Sequence, residues 1–270
     1  MSRKLAYVRC GKGPNVVLVH GFLGSSGVWA PVQSILQKSF NVIAVDLPGF
    51  AASAGTPVRA DIADYSRALV DFLEQLGVER FSLVGWSFGG IVSQQVAISH
   101  SRRLERLVLH GTTAVGRLPH RFESWEQTKR RIELEGIAPV TNRTVASWFV
   151  DGERHPYFAR CLASCQGASP SGALKAIDAI SQWNAVSRLG RIETPTLVVV
   201  GDRDRSTPLS DSVVLHKGIS ESSLCVLPRC AHGAHMEKPH LFAAVLRDFL
   251  PQMSGSPSSR TLLKARLKRK

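Results

Sequence analysis

Long apolar runs are missing from this sequence. None approaches the roughly eighteen residues that a membrane-crossing helix needs, so no membrane span is expected. The amino-terminal stretch "MSRKLAYVRCGKGPNVVLVH" is basic but has no continuous apolar region and no small-residue cleavage site; it reads as a first strand and turn. Cysteines are few and unpatterned. The five (Cys10, Cys161, Cys165, Cys225, Cys230) are odd in number and form no CxxC pair, which argues against a disulfide framework or a metal site and points to a reducing, cytoplasmic setting. Cys161 and Cys165, four apart, read as small buried apolar residues on one helix face.

Acidic residues are also scarce. Against 34 Lys and Arg stand 21 Asp and Glu, a net charge of +13. The tail from Ser254 to Lys270 opens as a Gly/Ser/Pro linker and ends as a basic stretch. It is expected to be a solvated, disordered segment, with an interfacial helix as the alternative. Without its six cationic residues the body remains at +7, which favours an anionic substrate, carrier or surface through long-range attraction. No basic motif interleaved with aromatics is present, so nucleic acid is not an expected partner.

What the chain does contain is an alternation. Short runs of Val, Leu and Ile fall at 15–19, 41–45, 81–84, 104–109, 196–200 and 223–227, with helical candidates at 28–38, 60–76, 88–100, 209–217 and 240–250. Runs apolar on both faces and separated by helices imply a parallel sheet covered on both sides. "LAYVR" followed by "GKGPN" suggests an antiparallel strand at one edge. Between 114 and 190 the strand rhythm stops and only helix-like segments appear. The expected organisation is a core of 1–113 and 191–253, a helical lid of 114–190 and the tail of 254–270.

"Gly85-Trp86-Ser87-Phe88-Gly89" places a serine where an apolar run ends and a helical pattern begins. A strand turning sharply into a helix strains the serine backbone and crowds its neighbours, so glycines flank it; the helix amino terminus supplies free N–H groups and a positive dipole end. A serine hydroxyl needs a base. His232 follows the last apolar run and is the preferred candidate. His235 is the rival, given a structural or substrate-lining role; His100, His110, His120, His155, His216 and His240 are assigned to helices, lid or surface. For the acid that orients the base, "GDRDRSTP" offers Asp202 and Asp204. Asp204 lies past the strand end and is preferred, whereas Asp202 is expected to bond within its own turn. Asp46 is assigned to loop structure. The backbone N–H groups of Phe22, after His20-Gly21, and of Phe88 are the candidate donors to an oxyanion. Trp86, Trp148, Phe149 and other aromatics are candidates for an acyl pocket or for lid packing.

These motifs in this order, "His20-Gly21", "DLPGFAAS", "VGWSFGG", "GDRDRSTP" and "AHGAHMEKP", resemble the α/β-hydrolase superfamily over about residues 4 to 250. The resemblance implies an α/β-hydrolase fold: an eight-stranded, mostly parallel sheet flanked by helices, with an inserted helical lid, a Ser87–Asp204–His232 triad and no cofactor. Within the superfamily "GWSFGG" and the basic lid are similar to pimeloyl-carrier-protein methyl ester esterases, and the later lid to 3-oxoadipate enol-lactonases. Hydrolysis of a small carboxylic ester or lactone is therefore expected. An acidic acyl-carrier protein is a candidate partner, because the lid carries Arg117, Arg121, Lys129, Arg130, Arg131, Arg143, Arg154 and Arg160. The alternative for these is a solvated face, since Glu123, Glu126, Glu133 and Glu135 interleave with them. Alternatives in function are carbon–carbon bond hydrolysis, perhydrolysis, or ligand binding without catalysis.

Overall fold

A computed structural model describes residues 4–58, 60–117 and 123–252; the basic tail beyond Ser254, His120 and Arg121 lie outside the described residues. Every apolar run noted above is a strand: β1 Tyr7–Cys10, β2 Asn15–Val19, β3 Asn41–Val45, β4 Phe81–Trp86, β5 Leu104–His110, β6 Thr196–Gly201 and β7 Ser222–Leu227. They form one sheet in the order β1-β3-β2-β4-β5-β6-β7. Only β1 runs antiparallel, against β3, with Tyr7 opposite Val45. Among the described residues the sheet has seven strands, one fewer than the resemblance implied.

The continuous apolar character of the strands follows from burial on both faces. Because successive side chains alternate, Val17, Val19, Ile43, Val45, Leu83, Leu107, Leu109 and Val198 enter one core cluster. Val16, Leu18, Val42, Ala44, Val84, Trp86, Val108 and Val199 enter the other. Helices α2 (Ile62–Gln75) and α3 (Phe88–Ser99) supply the first cluster, α1 (Ala30–Leu36) the second. The helix α2 is defined locally. Asp61 caps it by accepting the Ala63 N–H at 3.0 Å, and Ile62, Tyr65, Leu69, Phe72 and Leu73 form its buried stripe.

Among the described residues four α-helices lie between β5 and β6: α4 Trp125–Glu135, α5 Ile137–Ala146, α6 Phe158–Ser164 and α7 Pro170–Ser181. The only pairing in this insertion among the described residues is an isolated bridge, Val115 with Asn184. Ser124 and Gln127 form a reciprocal cap at the start of α4. Glu135 binds Arg131 at 2.9 Å and Arg143 at 2.8 Å, and Glu123 also pairs with Arg131. Part of the basic charge of the insertion is thus neutralised on its own surface. The remaining helices, α8 Leu209–Gly218, α9 Ala234–Glu237 and α10 Pro239–Phe249, follow β6 and β7.

Parallel pairing brings the strand ends to one edge: Val19 opposite Gly85, Trp86 opposite His110, His110 opposite Val199 and Gly201 opposite Leu227. The chain turns to one side of β2 for β3 and to the other for β4. A crevice opens where the strand order reverses in this way, outside the carboxyl ends of the strands. No described helix is long and apolar enough to cross a membrane.

Candidate active site

Ser87 sits at the reversal point, between β4 and α3, with φ 55° and ψ −118°, a conformation that a residue bearing a Cβ rarely adopts. Two bonds hold it there. Its N–H donates to His110 O at 2.9 Å, and Thr112 Oγ1 donates to its carbonyl at 2.7 Å. The flanking glycines answer to close packing. A Cβ at Gly89 would lie 2.4 Å from Val19 O, and one at Gly85 would lie 2.5 Å from Gly89 O. The helix α3 therefore presses its first turn against the end of β2, with its amino terminus beneath the serine.

His232 is held on the loop after β7. Its Nδ1 lies 2.8 Å from Asp204 Oδ2. Asp204 also accepts from Ser206 N at 2.8 Å, Thr207 N at 2.9 Å and Thr207 Oγ1 at 3.0 Å. Burial alone would raise the Asp204 carboxyl. The His232 charge and hydrogen bond, with the N–H groups of Thr207 and Ser206, outweigh it and hold the pKa below its ordinary value. An ionised Asp204 only accepts, so Nδ1 of His232 carries the proton and Nε2 is left as the basic nitrogen.

Ser87 and His232 line the same cavity, together with Gly21, Phe22, Trp86, Trp125, Thr144, Ser147, Trp148, Ser206 and Thr207. Ser87 Oγ makes no hydrogen bond among the described residues; in ligand-free sites such contacts commonly tighten only when substrate is bound. The cavity is about 40 Å³, small but large enough for a few water molecules. Trp148 and Trp125, both from the insertion, form part of its roof. Trp148 stands edge-on to Trp86 with ring centres 4.7 Å apart, and its carbonyl accepts the Gly233 N–H at 2.7 Å.

The Phe22 and Phe88 N–H groups have no partner among the described residues, the state expected of a loop and of the first turn of a helix. Phe22 lines the cavity, while the Phe88 ring is buried against Phe50 and Tyr65. His20 fixes the Phe22 loop. Its Nε2 accepts the Leu47 N–H at 2.9 Å, so Nδ1 must be the protonated nitrogen that donates to Gly21 O at 2.7 Å. Burial lowers its pKa, against the pull of Asp46. Asp46 ties the same loops from its side, accepting the Ser26 N–H at 2.6 Å.

Three expectations need correction. His235 does not line the cavity. It is fully buried behind Trp86, its ring centre 4.7 Å from Trp86 and 4.3 Å from Trp29, because α9 turns it back into the core. His110, assigned above to helix, lid or surface, ends β5 and is also fully buried. Its Nε2 lies 3.2 Å from His235 Nδ1 and its Nδ1 3.3 Å from Val199 O. Burial first, then the His232 charge, pushes its pKa down to about 3, and burial with the neighbouring histidines lowers that of His235 as well. The two aspartates also exchange expected roles in part. Asp204 makes the bonds within its own turn, whereas Asp202 accepts from Cys230 N at 3.1 Å across to the histidine loop.

Thr207 was not singled out in the sequence. It bonds Asp204 and lies 3.3 Å from His232 Nδ1. The signal was the run Ser206-Thr207-Pro208 after Asp204, since an aspartate readily accepts from N–H groups two and three residues on. Among the described residues no group of three or more His, Cys, Asp or Glu is placed to hold a metal ion.

The family model described as alpha/beta hydrolase fold matches residues 14–239. The chain belongs to that family. Among its curated relatives are a pimeloyl-[acyl-carrier protein] methyl ester esterase of Chromobacterium violaceum, 29% identical over 89% of this chain and 95% of the relative. Another is a 2-hydroxy-6-oxo-6-phenylhexa-2,4-dienoate hydrolase of Comamonas testosteroni, 28% identical over 91% of each. Among solved structures it is similar to a thermophilic esterase from Thermogutta terrifontis, with a TM-score of 0.82 at 27% identity, covering 91% of this chain and 92% of that one. An enol-lactonase from Burkholderia xenovorans shares the fold with the same TM-score at 22% identity, covering 91% and 95%. The named relatives are hydrolases and esterases, and this alpha/beta hydrolase carries its serine in the position where the family turns from strand to helix.

Proposed function

We propose that this hydrolase cleaves a carboxylic ester or lactone through an acyl-enzyme on Ser87. The observation that carries the reading is the 2.8 Å bond from His232 to a buried Asp204, with His232 and the strained Ser87 facing one cavity. In this reading Asp204 keeps His232 in the tautomer whose Nε2 takes the Ser87 proton as the hydroxyl attacks the carbonyl. The Phe22 and Phe88 N–H groups receive the negative oxygen of the tetrahedral intermediate, each such donor contributing about 3 kcal/mol of transition-state stabilisation. His232 then gives the proton to the leaving alcohol, and water, activated by the same imidazole, releases the acid.

The helices between β5 and β6 act as a lid. Trp125 and Trp148, which come from these helices, line the cavity around Ser87 and so bear on which acyl group can enter. The similarity to a pimeloyl-carrier-protein methyl ester esterase and the basic charge support an anionic or carrier-bound acyl chain as substrate, and five free cysteines fit a cytoplasmic setting. The dienoate hydrolase relative gives carbon–carbon bond cleavage as the second reading. A fluorophosphonate probe, with a panel of short esters, lactones and dienone acids run on wild type and Ser87→Ala, tests all of these. Labelling and ester turnover that both vanish in Ser87→Ala support the reading; turnover that survives the substitution overturns it.

A further inference from the structure

Beside the catalytic cavity lies a second, much larger space of about 580 Å³, lined by Ser147, Phe149, Val150, Arg203, Arg205, Ser206 and Ala231. Ser147 and Ser206 line both spaces, so the two are neighbours at these residues. The smaller one is lined by Ser87 and His232, and the larger one lies next to it.

The walls of this cleft differ in chemistry. Phe149, Val150 and Ala231 give it apolar lining. Two exposed arginines, Arg203 and Arg205, flank Asp204 in sequence and line it as well. Asp204 points inward with its oxygens occupied by Ser206, Thr207 and His232, and does not neutralise its neighbours by direct contact. Among the described residues neither the Arg203 nor the Arg205 guanidinium has a hydrogen bond or ion pair, although other arginines, such as Arg131 and Arg143, are paired. The Asp202 carboxylate interacts electrostatically with Arg203, but no acidic group meets either guanidinium in a hydrogen bond or ion pair among the described residues. Glu237 accepts from Val150 N at 2.8 Å and Ala231 N at 2.6 Å, and Asp202 accepts from Cys230 N. The backbone under Arg203 is fixed independently of its side chain, its N–H donating to Cys230 O at 2.9 Å. Two guanidinium groups without an ion-pair partner, in a cleft that also has apolar lining, suit a molecule with a hydrocarbon body and a carboxylate end.

We propose that this cleft binds a carboxylate carried by the ester substrate, with Arg203 and Arg205 as its receptors. The inference rests on the serine-ester reading above and narrows its substrate class to esters with an anionic end. The carboxylate can sit on the acyl or on the alcohol part, and the test separates the two.

The experiment compares three substrates at 0.15 M salt: neutral p-nitrophenyl acetate, the p-nitrophenyl monoester of glutaric acid, and 4-acetoxybenzoate. The proteins are wild type, Arg203→Gln/Arg205→Gln, Arg203→Lys/Arg205→Lys, and Lys12→Gln/Lys38→Gln, which removes the same charge at the opposite end of the strands. The expected result is a tenfold or larger fall in the anionic-to-neutral ratio of kcat/KM in the glutamine variant, mostly through KM and for at least one anionic ester. The lysine variant recovers part of it and the remote variant keeps it. The ester that responds identifies the side carrying the carboxylate. A ratio unchanged in the glutamine variant, or lowered equally in the remote one, overturns the inference while leaving the ester reading intact. Wild type inert toward all three esters, with no Ser87 labelling, would instead defeat the parent reading.

Discussion

The Trp86 indole N–H donates to the backbone carbonyl of His232 at 2.9 Å, joining the turn that presents Ser87 to the loop that carries His232 across 146 positions of sequence. The same ring is packed between Trp148 and His235, at 4.7 Å from each. Trp86→Phe keeps an aromatic ring but removes the donor. The expected cost is about 1–2 kcal/mol of stability, from an unsatisfied buried carbonyl, and a fall in turnover of about tenfold as His232 loses its register. Urea unfolding and ester kinetics on the purified variant check both; unchanged values in both would make the bond idle.

Ser87 supports a strained backbone that a residue without a Cβ adopts freely. Ser87→Gly should therefore be inactive yet more stable than Ser87→Ala, by roughly 1 kcal/mol. Thermal unfolding of the two variants side by side decides it, since both lack the hydroxyl and differ mainly in that strain.

Gly89 and Gly190 should respond oppositely to alanine. At Gly89 the new Cβ would meet the Val19 and His20 carbonyl oxygens at 2.4 and 2.5 Å, atoms of a central strand end that cannot withdraw. A loss of about 3 kcal/mol or more is expected. At Gly190 nothing lies within 4 Å and φ is not positive, so alanine should be neutral or stabilise by up to about 1 kcal/mol. Denaturant midpoints measure both.

Acid should destabilise the fold through His110. Burial, aided by the His232 charge, holds this imidazole neutral down to about pH 3, whereas the unfolded chain protonates it near its ordinary pKa of about 6.5. Below that value the unfolded state binds the extra proton. The stability is thus intact above about pH 6.5 and drains as pH falls toward 3, by up to roughly 1.4 kcal/mol per pH unit. His20 and His235, lowered by burial, act in the same direction. The slope of unfolding free energy against pH between 6.5 and 4.5 should be shallower in His110→Gln; an equal slope would remove His110 from the account.

Asp204 acts in the same direction as His110, over a lower range of pH. Its folded pKa lies below the ordinary carboxylate value, so its ionised form stabilises the fold above about pH 4, and that contribution is lost as pH falls through the lower folded value. Asp204→Asn should lose this acid-dependent component and, at neutral pH, about a thousandfold or more of turnover as His232 loses its tautomer. Stability and kinetics followed from pH 7 to pH 3 test the two parts together.

Much of the architecture was legible in the chain because the information is local. The strand β4 and helix α3 meet at Ser87 because an apolar run must stop where glycines allow a tight turn, and "NVVLV" or "TLVVV" can only be two-faced strands under two layers of helix. The end of α2, just before Gly77 with its φ of 68°, and the Ser124–Gln127 cap of α4 likewise depend on neighbouring residues. What sequence alone left open concerns partners distant in the chain. Whether Asp202 or Asp204 bonds within its own turn, and whether His235 faces substrate or core, depends on how loops after β6 and β7 fold over one another. Whether His110 had a structural or an exposed role stayed open in the sequence, because its burial involves α9 and α10, more than 120 residues later. The sequence by itself determined the alternation of strands and helices and the strained serine, since hydrophobic period and glycine sterics act over a few residues. Only the tertiary structure decided which imidazole reaches the cavity, which carboxylate orients it and where two arginines stand unpaired beside it, since charge pairing and desolvation depend on three-dimensional neighbours that spacing along a chain does not specify.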